Sequence, residues 1–291
     1  DFHPSPDGLR EYRYTIKVGF GYSEHGRPRL GAWGRRTRSI VPIPECPVTT
    51  PELRSVVKAL SHHFMALQIA PYTSENQSGL LRAAVLRQSR SSNEIMVTLV
   101  AARYHRRLKE LAEVVAQQET NVVGVWVHVN DDPGNAMFQR NEHGAVGVRK
   151  LVGNMELTER LNGVNYRIGP GDFFQTNPAM ADVLYRRVIS RLELKPDQAV
   201  IDLYSGVGGL ALQAARVTGW ALGVETVDGA VARARSTAKS NGIQAEFMSA
   251  DVTIALIDVQ RRYGKTNPIV CVNPARRGLE EGVVEQIVGL G

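Results

Sequence analysis

A glycine-rich turn in the second half of the chain constrains the fold more than any other feature. The segment IDLYSGVGGL, residues 201–210, follows a polar turn and a short apolar run, and it leads into apolar residues at helical spacing. A strand, a glycine turn and a helix in this order bring backbone N–H groups and a helix N-terminus to one point, which suits a nucleotide-like ligand. The segment therefore predicts an α/β fold with a ligand site at this turn.

A carboxylate lies at the distance from this turn at which ribose is bound in such folds. The next apolar run, ALGV, ends in Glu225, nineteen residues after Gly206. At the tip of the second strand a carboxylate can accept hydrogen bonds from ribose hydroxyls. The two features together indicate that the C-terminal half binds an adenosine-containing cofactor.

The chain of 291 residues is long enough for two domains. Residues 1–165 predict an α+β domain, with a hairpin turn near residues 24–26 and a helix that Thr50 caps and Pro51 opens. Residues 166–291 alternate strands with helices, which predicts a doubly wound parallel sheet. The predicted strands are 199–204, 220–225, 245–249 and 268–272. Four strands leave one flank of this sheet uncovered, so we expect the sequence to be part of a longer protein.

Composition excludes some classes of protein and favours a polyanionic partner. The hydrophobic fraction is 43% and the charged fraction 22%, and no apolar run approaches the roughly 20 residues of a membrane span. Two cysteines cannot form a disulfide framework, so we expect a cytoplasmic protein. The net charge is +6, and basic clusters occur at residues 27–38, 103–109, 186–187, 261–262 and 276–277. Such clusters suit a nucleic acid, and solvated surface arginines are the alternative.

The glycine turn alone leaves two cofactors open. Gly206, Gly208 and Ala211 satisfy the relaxed dinucleotide fingerprint, which keeps an NAD-dependent oxidoreductase as an alternative. Asp202 and Tyr204 instead favour S-adenosylmethionine, because we expect a carboxylate and an aromatic ring to face the crevice where a dehydrogenase has small apolar residues.

A second feature also favours S-adenosylmethionine. The apolar strand 269–272 runs into Asn273-Pro274. At this strand end, methyltransferases acting on amino groups and nucleobases hold a polar group that handles the target base. The Asn273 amide can both donate and accept hydrogen bonds, so it does not by itself select the base.

The motifs as a set resemble a known family. IVPIPECP at 40–47, FFQTNP at 173–178, DLYSGVGG at 202–209 and NPARRG at 273–278 occur in that order. The chain is similar to the RNA (uracil-5-)-methyltransferases, specifically to their iron–sulfur branch, which acts on 23S rRNA and forms 5-methyluridine. The resemblance runs from about Tyr12 to the last residue. It implies a class I, Rossmann-like S-adenosylmethionine-dependent methyltransferase domain that is C-terminally incomplete, preceded by an α+β RNA-recognition domain.

The resemblance also implies roles for individual residues. Gln175 would lie over the cofactor and target pocket, Tyr204 and Gly206 would contact S-adenosyl-L-methionine, Glu225 would bind its ribose, Asp251 would read the adenine amino group, and Asn273 would lie at the cofactor–base junction. Each role has a structural alternative. Asp251 could cap a helix, Phe173 and Phe174 could be core aromatics, Glu225 could be a surface acid, and Asn273 could be an ordinary turn residue.

In the family, a cysteine thiolate adds to C6 of uracil, the methyl group is transferred to C5, and a base removes the C5 proton. The resemblance places this cysteine and the glutamate base beyond Gly291, so we expect no catalytic residue in this segment, and the segment alone should be inactive. Cys271 lies in an apolar strand and is predicted to pack as a buried hydrophobe. Cys46 matches the fourth ligand of a [4Fe–4S] cluster in the full-length parent. Its three partners would precede Asp1, and no cluster is expected here.

The sequence therefore predicts a piece of an enzyme that methylates C5 of a uridine in RNA, with 23S rRNA as the substrate and tRNA as the alternative. It implies no membrane and no protein partner. Two other functions stay open: a catalytically inactive relative that binds RNA and S-adenosylmethionine, and the NAD-dependent oxidoreductase.

Overall fold

The computed structural model describes residues 3–35, 39–132, 134, 137–141, 145–274 and 278–290. Arg36, Arg38 and residues 275–277, which belong to predicted basic clusters and to the NPARRG motif, lie outside these ranges. The chain forms two compact units. The first comprises Asp1–Asn141, Val146–Leu157 and Gln175–Ala179, and the second comprises Glu142–Ala145, Thr158–Phe174 and Met180–Gly291. The main division between the units falls between Leu157 and Thr158, and the domain boundary at residue 165 stays a prediction.

The first unit contains a seven-stranded sheet in the order β3-β2-β1-β4-β5-β6-β7. Its elements are β1 Thr15–Tyr22, β2 Pro28–Trp33, β3 Ile40–Val41, α1 Pro51–Ala66, β4 Leu81–Gln88, β5 Ile95–Ala101, α2 Arg106–Gln118, β6 Val122–Val129 and β7 Arg149–Gly153. Neighbouring strands are antiparallel except β5 and β6. This parallel pair requires a crossover, which α2 supplies.

The sequence predicted the local structure of the first unit well. The hairpin is confirmed, because Gly21 pairs with Arg29 at the end of β1. The start of α1 is also confirmed: Thr50 is the N-cap, its side chain accepts a hydrogen bond from the Leu53 N–H, and Pro51 opens the helix. The apolar stripe of α1 is buried in one core with α2 and the sheet.

The second unit is built on a four-stranded parallel sheet in the order β12-β11-β10-β13. Its elements are β8 Leu157–Leu161, β9 Val164–Ile168, α3 Pro178–Arg191, β10 Val200–Leu203, α4 Gly209–Thr218, β11 Ala221–Glu225, α5 Asp228–Ser240, β12 Ala245–Ser249, α6 Val252–Tyr263, β13 Ile269–Val272 and α7 Val283–Val288. The predicted strand–helix alternation is confirmed. The chain adds β11 and β12 on one side of β10 and then returns to its other side with β13. The strand order therefore reverses at β10, and ligands of such sheets bind at this point.

Two apolar cores hold the helices on the sheet of the second unit. One contains residues of α4 and α5, and many of these are alanines, which let a helix approach the strands closely. The other contains residues of α6 and α7. The two cores lie on opposite faces of β10, with Val200 in the first and Ile201 in the second. In the described part of the chain no helix has the length and the apolar character needed to cross a bilayer.

A buried ion pair ties the segment after β9 to α5. Arg233 donates hydrogen bonds from Nε and Nη2 to the two carboxylate oxygens of Asp172. The Gly169 N–H donates to the same carboxylate at 2.7 Å. The Asp172 side chain is 2% exposed and that of Arg233 19% exposed. The pair thus fixes the residues that precede Phe173 and Phe174.

Candidate functional site

The parallel sheet brings predicted site residues to one edge. They are Tyr204 after β10, Glu225 at the end of β11, Asp251 after β12 and Asn273 after β13. The register aligns these strand ends, because Leu203 pairs with both Val224 and Val272, and Glu225 pairs with Ser249. The carboxyl ends of the strands thus carry the residue types that the sequence assigned to a ligand.

The backbone of the turn explains why glycine is needed there. Gly206 has φ +56° and Gly208 has φ +86°, a left-handed conformation that side chains disfavour. A Cβ on Gly206 would meet no atom within 4 Å, whereas a Cβ on Gly208 would lie 2.8 Å from the ring of Phe247. A Cβ on Gly223 would lie 2.5 Å from the same ring. One side of the turn is therefore open, and the other packs against an aromatic ring.

Glu225 binds the glycine turn directly. Its Oε2 accepts a hydrogen bond from the Gly206 N–H at 3.0 Å. Its Oε1 accepts from the backbone N–H groups of Thr226, at 2.8 Å, and Val227, at 3.0 Å. The carboxylate therefore joins the first two strand ends across the point where the strand order reverses. This is the position from which a carboxylate can accept hydrogen bonds from ribose hydroxyls.

The surroundings of the turn fit an adenosine-containing cofactor. Ser205 is 8% exposed, and its hydroxyl has no hydrogen-bond partner among the described residues. A buried polar atom of this kind calls for a partner. The Ser205 hydroxyl lies on the packed side of the turn, 2.9 Å from a Cβ built on Gly223, whereas the space beside Gly206 is open. Gly206 and Glu225 are the residues that would hold such a cofactor.

The sequence-based interpretation of Asp202 is wrong. Its carboxylate does not face the crevice: Asp202 is 2% exposed, and its Oδ2 accepts a hydrogen bond from the Ala211 N–H at 2.9 Å. The Asp202 carboxylate thus binds the backbone at the N-terminus of α4 from inside the core. The sequence did not show this orientation because β10 is buried on both faces. Such a strand has no alternation of polar and apolar residues that would indicate which way each side chain points. Burial raises the pKa of Asp202 to about 7, with a further rise from Glu225, against hydrogen bonds from the Ala211 and Leu210 N–H groups.

This pKa predicts how stability depends on pH. The folded protein keeps a proton on Asp202 up to about pH 7, whereas the unfolded chain loses it near the ordinary value of 3.8. The unfolded state therefore binds fewer protons in this window, and stability falls as pH rises through it. We expect Asp202 to lower the free energy of unfolding by about 3 kcal/mol between pH 5 and pH 8.

Urea denaturation of the wild type and of Asp202→Asn at several pH values measures this effect. The asparagine keeps an oxygen for the Ala211 N–H but does not titrate, so the stability difference between the two proteins should change with pH by that amount. Parallel pH profiles of the two proteins would show that Asp202 does not titrate as described.

The structure adds a residue that the sequence did not single out. The Tyr204 hydroxyl donates a hydrogen bond to Oε2 of Glu280. Tyr204 itself has φ +60°, which is rare for an aromatic residue. Glu280 follows the NPARRG motif, and no spacing rule connects it with Tyr204, which lies 76 residues earlier. Glu280 therefore fixes the ring at the end of β10.

The other two strand-end residues differ in their bonding. Asp251 is the N-cap of α6, and its Oδ1 accepts from the Thr253 N–H at 2.9 Å. Its second oxygen, Oδ2, accepts no hydrogen bond from the described residues, so it can still accept from a ligand. Asn273 is exposed, and its amide makes no hydrogen bond within the described part of the chain. Both residues keep polar atoms that can bind a ligand at this edge.

The FFQTNP segment divides into residues of different character. Phe174 is 6% exposed and packs against Tyr166, with 6.0 Å between ring centroids, so it is a core aromatic. Phe173 is 67% exposed and is not part of the core. Gln175 is half-buried and belongs to the first compact unit. Its role over the cofactor stays a prediction.

Among the described residues, neither cysteine belongs to a group of side chains suited to a metal. Cys271 is buried on β13, and burial raises the pKa of its thiol to about 12, which makes it unreactive. Burial raises the pKa of the half-buried Cys46, but hydrogen bonds from Thr49 and from the Val48 N–H outweigh this and lower it. The described residues contain no group of three or more His, Cys, Asp or Glu side chains suited to a metal. Two cysteines do not fit a [4Fe–4S] cluster, which takes about four thiolates.

Comparison with known proteins finds RNA methyltransferases that are similar to most of this chain. No family model matches the chain. It is 30% identical to an uncharacterized RNA methyltransferase of Geobacter sulfurreducens over 289 residues, which are 99% of this chain and 57% of that protein. It is 29% identical to an uncharacterized RNA methyltransferase of Streptococcus pyogenes over 268 residues, 92% of this chain and 57% of that protein. The chain thus spans little more than half the length of these relatives.

A solved structure covers nearly the whole chain. The tRNA (uracil-54, C5)-methyltransferase of Pyrococcus abyssi, determined with S-adenosyl-L-homocysteine, matches with a TM-score of 0.71 and 25% sequence identity. The match covers 98% of this chain and 64% of that one. The fold predicted from the sequence is confirmed at this level: the chain has the α/β, Rossmann-like fold of S-adenosylmethionine-dependent methyltransferases.

Proposed function

We propose that this chain is part of an RNA (uracil-5-)-methyltransferase and that its second unit binds S-adenosyl-L-methionine. The observation that carries the proposal is the meeting of the Gly206 N–H with the Glu225 carboxylate where the strand order reverses. The cofactor would supply the methyl group. Glu225 would orient the ribose, and Gly206 would let the cofactor approach the backbone. Tyr204 would also contact the cofactor, and Asp251 would bind its adenine amino group.

An RNA substrate is supported by the names of the relatives and by a cluster of arginines on α3 of the second unit. Helix α3 carries three arginines along a shallow surface depression, which is lined by Val183, Arg186, Arg187, Ser190 and Arg191. Asp182 pairs with Arg186 at 3.2 Å and offsets part of this charge. Clustered arginines bind phosphates and release counterions. RNA methylation is expected to take place in the cytoplasm.

Uracil as the target base is supported by the motif resemblance and by the solved relative, which acts on uracil in tRNA. Asn273, exposed at the end of β13, has an amide suited to the polar edge of a base. In the whole protein we propose covalent catalysis by a cysteine and a glutamate outside this chain, on a uridine taken out of its stack. We propose 23S rRNA as the substrate because the motifs resemble that branch, with tRNA as the alternative. Mapping 5-methyluridine in both RNAs from cells with and without the gene distinguishes them.

Isothermal calorimetry with S-adenosylhomocysteine and with NADH tests the cofactor. We expect saturable binding of S-adenosylhomocysteine and none of NADH, because the solved relative that covers 98% of this chain was determined with S-adenosyl-L-homocysteine. Binding of NADH alone would favour the oxidoreductase. A chain that binds S-adenosylhomocysteine but whose full-length parent modifies no RNA would favour the inactive relative.

A further inference from the structure

The first unit carries an exposed tyrosine that an arginine covers on one face. The Arg149 guanidinium lies 4.0 Å from the centroid of the Tyr104 ring. Tyr104, in the loop between β5 and α2, is 39% exposed, and Arg149, at the start of β7, is also exposed. A planar cation over an aromatic face gives a rigid, positively charged stack at the surface.

This pair differs from the other arginine–aromatic pairs of the described residues. Arg82, over Tyr72, donates to the carbonyl groups of Asn130, Asp132 and Gly134. In the second unit, Arg262, over Tyr263, forms ion pairs with Glu246 and Asp258. Those two arginines have structural partners.

Arg149 has no such partners. Within the described part of the chain it forms no ion pair and no side-chain hydrogen bond, and nothing neutralises its charge. The Arg149–Tyr104 stack is therefore not explained by the fold alone.

The surroundings of the pair are basic. Residues 103–109 contain four basic side chains and no acidic one. Arg106, at the start of α2, is 86% exposed, and its nearest acid, Glu110, is 3.9 Å away. Cations in the first turn of a helix oppose its macrodipole, so helix stability does not explain Arg106 there. Arg107 has a structural role, because it donates a hydrogen bond to the carbonyl group of Gln68. A polyanion bound at this surface would explain the position of Arg106.

We propose that Tyr104 and Arg149 form a stacking site for an unpaired base of the RNA, with a flanking phosphate bound by Arg106. This inference rests on the proposed function, since it takes RNA as the substrate. Bases stack on aromatic rings and on guanidinium planes in single-stranded RNA recognition. The site would hold a nucleotide other than the one that is methylated, and so would set the position of the RNA strand on the first unit.

The test compares a fluorescein-labelled ten-nucleotide oligouridylate with an abasic oligomer of the same length and charge, by fluorescence anisotropy at low salt. We expect Tyr104→Ala to weaken oligouridylate binding roughly tenfold and to leave abasic binding unchanged. Tyr104→Phe keeps the ring and should bind like the wild type. Arg149→Met removes a charge and should weaken both.

Tyr72→Ala is the matched control, because its arginine is held by backbone carbonyls. It should not change the ratio of the two affinities. Unfolding temperatures show whether each variant is folded. Equal oligouridylate binding by the wild type and Tyr104→Ala would overturn the stacking site alone. A wild type that binds neither oligomer would overturn RNA binding by this chain and the stacking site with it.

Discussion

Replacing Arg233 by methionine will lower the free energy of unfolding by about 3–5 kcal/mol, because it removes a guanidinium that pairs with the buried carboxylate of Asp172. Two of its hydrogen bonds disappear, and the one from the Gly169 N–H, 2.7 Å long, remains. Water cannot replace the guanidinium easily, since the Asp172 side chain is 2% exposed. Urea denaturation of the full chain, followed by circular dichroism, measures the loss.

The second unit offers a matched control for this substitution. Arg262 makes a two-pronged ion pair with Glu246, at 2.8 and 3.0 Å, but the two side chains are 34% and 43% exposed. Arg262→Met should therefore cost no more than about 1 kcal/mol. A double variant with Asp172→Asn and Arg233→Met should recover part of the loss, since it removes the uncompensated charge. Equal losses for Arg233→Met and Arg262→Met would show that burial does not matter here.

Glu225→Gln will weaken S-adenosylhomocysteine binding on the order of 30-fold, because charge-assisted hydrogen bonds contribute about 2 kcal/mol. The carboxylate presents Oε2 to the Gly206 N–H and Oε1 to the backbone after β11. A ribose hydroxyl needs one of these oxygens. The glutamine keeps a single acceptor, which the backbone of Thr226 and Val227 already uses. Calorimetry with the full chain measures the change in Kd.

Stability has to be separated from binding in this experiment, because Glu225 also holds the turn between β11 and α5. The retained oxygen of glutamine should keep the unfolding temperature within a few degrees of the wild type. Glu246→Gln, on β12 and bound to Arg262, is the control, and its affinity should be that of the wild type. An unchanged Kd for folded Glu225→Gln would remove Glu225 from the cofactor site.

Features that depend on short stretches of sequence were predictable. Thr50 and Pro51 specify the start of α1 by their own chemistry, and a fixed spacing brings Glu225 to Gly206. The four parallel strands follow from apolar runs that alternate with helical spacing. In these cases neighbouring residues, or a geometry common to all parallel α/β folds, determine the result.

Features that depend on orientation or on distant residues were not predictable. Asp202 lies in a strand buried on both faces, so its sequence neighbours do not reveal which way the carboxylate points. Asp172 and Arg233 are 61 residues apart, and Tyr204 and Glu280 are 76 apart. The seven-stranded order of the first unit likewise depends on which β-edges meet. Such contacts are decided by packing, which a single sequence does not encode locally.

The ring of Phe247 packs against both Gly208 and Gly223, so closely that a Cβ atom on either glycine would clash with it. The conformation of the glycine turn is consequently not a property of the turn itself. Phe247, two strands away in the sheet, helps to determine the backbone conformation of the turn. If the segment from β10 to α4 were grafted into another protein without this ring, it would not keep that conformation. A graft of the glycine turn therefore has to include the aromatic residue that packs against it.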